Sequence, residues 1–102
     1  MNPMIETRRA DVAVLCKRFL VRRLDVFGSA TRADFDPNRS DLDLLVEFEP
    51  DTDLKALNQY IGFKHALEAL FGRPVDLIVA SALKNPYVRR GIEESRETLY
   101  AA

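Results

Sequence analysis

One stretch restricts the fold more than any other. From Asp41 to Phe48, Leu42, Leu44, Val46 and Phe48 alternate with Asp41, Asp43, Leu45 and Glu47. Strand side chains point to opposite faces in turn, so this spacing predicts a half-buried strand with one apolar and one largely acidic face. Pro50 ends it, because proline cannot donate to a sheet ladder. A helix would scatter the same residues around its axis.

The flanking segments supply the layers such a strand needs. Ile5, Val12, Leu15, Cys16, Phe19 and Leu20 recur at helical spacing, which predicts an amphipathic helix over 4–21. Cys16 falls in its apolar stripe and reads as a core residue, with no histidine placed to activate it. Arg23 to Phe27 predicts a short strand that stops at the Gly28-Ser29 turn. Residues 30–35 fit a helical turn, and Asp36 to Ser40, with Pro37 inside, a loop. Asp51-Thr52-Asp53 is a helix-start signal. Leu54, Leu57, Tyr60, Ile61, Phe63, Leu67, Leu70 and Phe71 then make a broad apolar face, with Tyr60 and Phe63 expected in the core and His65 near the surface. Gly72 suits a left-handed cap, and Pro74 blocks continuation. Val75 to Ala80 predicts a third strand. Asn85-Pro86 opens a last helix through about Glu94, with Arg89-Arg90 on a solvated face. Thr98-Leu99-Tyr100 fits either an edge strand or more helix. Helices alternating with strands imply an α/β fold: a small mixed sheet of three to four strands flanked by helices.

Composition excludes several classes. At 102 residues the chain is expected to be a single domain, 1–102. It is 47% hydrophobic with a net charge of only −1, which disfavours disorder and a nucleic-acid binder that works by bulk charge. No apolar run approaches the ~18 residues of a membrane span. Charges near the N-terminus leave no export signal visible, so a cytoplasmic protein is expected. One cysteine allows no internal disulfide, and no Cys/His cluster suggests zinc.

Three features bear on chemistry. Gly28-Ser29 directly follows a strand, where glycine permits close backbone approach and the following N–H groups with a hydroxyl can cradle phosphate. Asp41 and Asp43, two apart on a strand, project from one face about 7 Å apart, where like charges repel; this fits either a solvated acidic face or a site where a divalent cation offsets the repulsion. Magnesium suits such oxygens, since it takes one or two carboxylates plus substrate phosphates. Asp76 lies in an otherwise apolar strand and can complete a carboxylate triad if that strand neighbours the first. A phosphate turn and three carboxylates together fit metal-assisted nucleotidyl transfer.

Gly28-Ser29-Ala30-Thr31-Arg32, then Ser40-Asp41-Leu42-Asp43-Leu44-Leu45-Val46, then Val75-Asp76-Leu77, resembles the minimal nucleotidyltransferase (MNT) domain of the DNA polymerase β-like superfamily. The chain departs from the family pattern at Ala33, where many members carry glycine, and in a longer stretch from Ser29 to Asp41. Small free-standing members are commonly antitoxins paired with a helical HEPN ribonuclease toxin, and some transfer AMP from ATP onto a tyrosine of it. The resemblance therefore implies ATP as substrate, magnesium as cofactor and a HEPN-type toxin as partner in a hetero-oligomer, with a homodimer as a further state. It places Gly28, Ser29, Arg32 and Ser40 on ATP, Asp41 and Asp43 on magnesium, and Asp76 on both the metal and the acceptor hydroxyl. Two alternatives stay open: a non-catalytic module that neutralises the toxin by occlusion, and transfer to a small molecule. The second lacks an evident further domain to shape an acceptor pocket.

Overall fold

The computed structural model describes residues 3–28, 41–50 and 55–102. In chain order the elements are α1 (Pro3–Glu6), α2 (Arg9–Arg18), β1 (Val21–Phe27), β2 (Leu42–Phe48), α3 (Ala56–Phe71), β3 (Val75–Val79), a 3₁₀ turn (Ala80–Ala82), α4 (Pro86–Ser95) and β4 (Glu97–Ala101). The four strands form one mixed sheet in the order β3-β2-β1-β4. β1 runs antiparallel to β2 and β4, whereas β2 and β3 are parallel. A parallel pair needs a long crossover, and α3 lies within it. The expected α/β fold is thus present. The expected helical turn over 30–35, the loop over 36–40 and the helix-start signal at 51–53 lie outside the described residues.

The first helix differs from expectation. A continuous helix over 4–21 is instead two helices, broken at Thr7-Arg8. There the Thr7 hydroxyl donates to the Met4 carbonyl at 3.0 Å, and the Arg8 N–H reaches only three residues back, to Ile5. A side chain competing for the backbone in this way loosens the helical repeat. α2 also ends early, at Arg18. Leu20 takes a left-handed conformation at φ 57° and turns the chain so that Val21 starts β1 two residues sooner than the apolar pattern implied. A non-glycine residue there costs roughly 1–2 kcal/mol.

The core fills one face of the sheet. Leu24, Val26, Leu42, Leu44, Val46 and Leu77 face Val12, Cys16, Phe63 and Leu67 of the helices, all buried. Burial pushes the Cys16 thiol up to about 12, as suits a core residue. α3 turns a narrower stripe inward than its sequence suggested. Gln59, Phe63, Leu67 and Phe71 are buried, while Leu57 and Ile61 are exposed. Gln59 takes an inward place because its Nε2 donates to the Phe19 carbonyl at 2.7 Å, satisfying the end of α2. Tyr60 is partly buried and donates its hydroxyl to the Leu77 carbonyl at 2.6 Å, tying α3 to β3. His65, Arg89 and Arg90 are exposed, as expected.

Both caps behave as the sequence implied. Gly72 is left-handed at φ 65° and its N–H donates to the Glu68 carbonyl. The Asn85 side chain accepts from the N–H groups of Tyr87 and Val88, with Pro86 in the first turn. The ambiguous tail is a strand on the open side of β1. Its register skips a residue between Leu24 and Asp25, which lets Leu99 turn into the core.

Candidate active site

The sheet brings three strand ends to one edge. β2 and β3 start there side by side, with Asp43 directly opposite Asp76, and β1 arrives antiparallel, with Phe27 opposite Asp43. Residues paired across a ladder share a face. Because Leu42 and Val75 turn into the core, their neighbours Asp43 and Asp76 project from the other side. Asp41, just ahead of β2, is exposed, as is Asp76, and Asp43 is half-buried.

Gly28 follows β1 at this edge in a left-handed conformation, φ 70°. A Cβ there would lie 2.6 Å from Asp43 Oδ2. The turn therefore lies directly against the carboxylate, a fit only glycine allows. Burial, then the charges of Asp76 and Asp41, push the Asp43 carboxyl above the usual carboxylate range. All three acids thus act on one locus. Among the described residues, no group of three His, Cys, Asp or Glu side chains is gathered tightly enough to hold a metal by protein ligands alone. Carboxylate oxygens on neighbouring strands suit a hard cation, and a magnesium ion draws its remaining ligands from substrate phosphates. Of the other sequence candidates, Ser29, Arg32 and Ser40 lie outside the described residues.

Sequence reasoning missed Asp25. It lies on the same sheet face as Asp43 but only 1% of it is exposed. Arg23 Nε donates to its Oδ1 at 3.1 Å, and Arg96 grips Oδ2 through Nε at 2.7 Å and through Nη2. The signal was present: Asp25 alternates with Leu24 and Val26 as Asp43 does with Leu42 and Leu44. Ser95, next to Arg96, accepts a hydrogen bond from the Gly28 N–H at 3.3 Å.

Residues 12–99 match the model of the nucleotidyltransferase domain family, and the chain belongs to that family. Among its relatives, the protein adenylyltransferase MntA of Thermococcus cleftensis is 39% identical over 80 residues, 78% of this chain and 77% of that one. A solved structure described as a candidate minimal nucleotidyltransferase is 36% identical with a TM-score of 0.74, covering 95% of both chains. The fold also recurs, at 13% identity and a TM-score of 0.66, in a Shewanella oneidensis structure of a tri-AMPylated HEPN toxin with its MNT antitoxin; 96% of this chain and 73% of that one are covered. At that identity the likeness is one of fold.

Proposed function

We propose that this chain, acting as one domain over 1–102, transfers AMP from ATP to a hydroxyl of a HEPN-type toxin, tyrosine being the acceptor, and so serves as its antitoxin. The observation that carries this is the Asp43–Asp76 pair in register beside the Gly28 turn. The adenylyltransferase relative supports AMP as the transferred group and a protein as acceptor. Gly28 and Ser29 hold the β- and γ-phosphates, with Arg32 and Ser40 assisting. Asp41, Asp43 and Asp76 would hold magnesium, which when bound offsets charge on the attacking and leaving oxygens. Asp76 also takes the proton of the acceptor hydroxyl. That oxygen bonds to the α-phosphorus as the bond to the β-phosphate oxygen breaks, and pyrophosphate leaves. The work belongs in the cytoplasm, where ATP is supplied; no helix described is long and apolar enough to cross a membrane.

Asp76→Asn tests this directly. It keeps the shape and removes the base, a loss of about 10²–10⁴-fold in rate, while barely altering the contact surface. The variant should still capture the toxin in a pull-down yet add no ~329 Da increment per AMP to it, the group left once pyrophosphate departs. Cells carrying it should lose protection. Protection equal to wild type without that mass increment would make occlusion the mechanism.

A further inference from the structure

We infer that Ser95, held in place by the Arg96–Asp25 ion pair, is a positioning residue for the Gly28 phosphate turn. This rests on the nucleotidyl-transfer function proposed above and adds to it a component from the far end of the chain.

The geometry is a clasp. Asp25 is a buried charge, and a buried charge is stable only when paired and hydrogen-bonded. Arg23 and Arg96 supply both, and Arg96 is itself anchored by donating through Nη1 to the Glu93 carboxylate. Arg96 is also the residue where α4 stops: its N–H closes the last turn onto Ile92, and its extended backbone leads straight into β4. Its side chain thereby fixes the end of α4 against β1. Ser95 is the last helical residue, so its hydroxyl is delivered to the end of β1, where it meets the Gly28 N–H.

Strand pairing alone would not do this. The β1–β4 ladder runs from Arg23 to Val26 and stops short of Gly28. The β1–β2 ladder reaches Phe27, opposite Asp43, and beyond it the Ser95 hydroxyl accepts from the Gly28 N–H. Glycine has the widest choice of backbone conformations, so a turn built on it needs such outside constraints to present one geometry to a ligand. With its N–H held by Ser95, Gly28 keeps one place beside the Asp43 carboxylate, where metal and phosphates would meet.

The test is magnesium–ATP titration and steady-state transfer with the full chain. Ser95→Ala should weaken ATP binding and raise KM for ATP about three- to tenfold, the weight of one net hydrogen bond. Its kcat should change less than twofold, its melting temperature should fall by no more than ~8 °C, and Ser95→Thr should restore affinity. Arg96→Lys, which keeps a charge on Asp25 but loses the two-nitrogen grip, should weaken ATP binding in the same direction. Wild-type affinity in Ser95→Ala overturns the inference. So does tighter binding, which would make Ser95 a competitor of phosphate. The binding ratio is read without any acceptor, so a wild-type chain that binds ATP yet transfers nothing would refute the function while leaving this comparison intact.

Discussion

Gly28→Ala separates two costs that meet at one atom. The first is conformational: at φ 70° an alanine takes a backbone shape that costs roughly 1–2 kcal/mol. The second is steric. The new methyl would lie 2.6 Å from Asp43 Oδ2, about 1 Å inside ordinary contact. Something must move, and overpacking of that kind costs about 1–3 kcal/mol. Together they predict a loss of about 2–5 kcal/mol. At about 4–8 °C per kcal/mol for a domain of this size, the melting temperature should fall by at least ~8 °C. Transfer should fall ~10²-fold or more, because the carboxylate that must yield belongs to the site. A double-mutant cycle isolates the steric part. Asp43→Ala removes Oδ2 and Cγ but keeps Cβ, which lies 3.7 Å from the new methyl, an ordinary contact. In that background Gly28→Ala should cost only the conformational part, leaving a coupling of about 1–3 kcal/mol. Thermal melts of the four proteins measure it, and strictly additive losses would refute the close approach of turn and carboxylate.

Two further outcomes follow from the same cluster. Asp41→Ala or Asp43→Ala should abolish AMP transfer from labelled ATP while leaving the fold intact. Removing one charge relieves repulsion, so the melting temperature of the ligand-free chain should be unchanged or slightly higher; full transfer by either variant would defeat the metal assignment. Magnesium and ATP should bind together more tightly than either does alone, since the triphosphate supplies oxygens the protein lacks. Equal ATP affinity with and without EDTA in a calorimetric titration would refute that coupling.

The site strands were legible because period-two alternation and a polar interruption are local signals. Spacing alone put Asp41 and Asp43 on one patch; Asp76 joined it only if its strand lay alongside, and the parallel register places Asp76 opposite Asp43. Interactions across the chain were not legible. The Thr7 hydroxyl breaks a helix whose apolar spacing is continuous, and Gln59 takes an inward place while Leu57 and Ile61 stay exposed, because it serves the C-cap carbonyl of α2. Asp25 looked like any charge in a short strand. Its distant partner, Arg96, lies 71 residues away and meets it only once β4 pairs with β1.

The carboxylate cluster persists because another part of the same strand outweighs it. Neighbouring strands are about 4.8 Å apart, so the Asp43–Asp76 repulsion is of order 1–3 kcal/mol between surface-like and aqueous screening. A one-residue slip of β2 would separate those charges from the edge, but it would also turn Leu42, Leu44 and Val46, each fully buried, toward solvent. At about 1.5–3 kcal/mol for each side chain, burial holds the register with roughly 5–9 kcal/mol. The core wins, and the strain stays where a cation can relieve it. Asp25 is the contrasting case on the same face: there the chain supplies its own cations, Arg23 and Arg96, and the charge is sealed from water. Two aspartates one strand apart thus have opposite roles, set by whether the sheet delivers an arginine or a second carboxylate beside them.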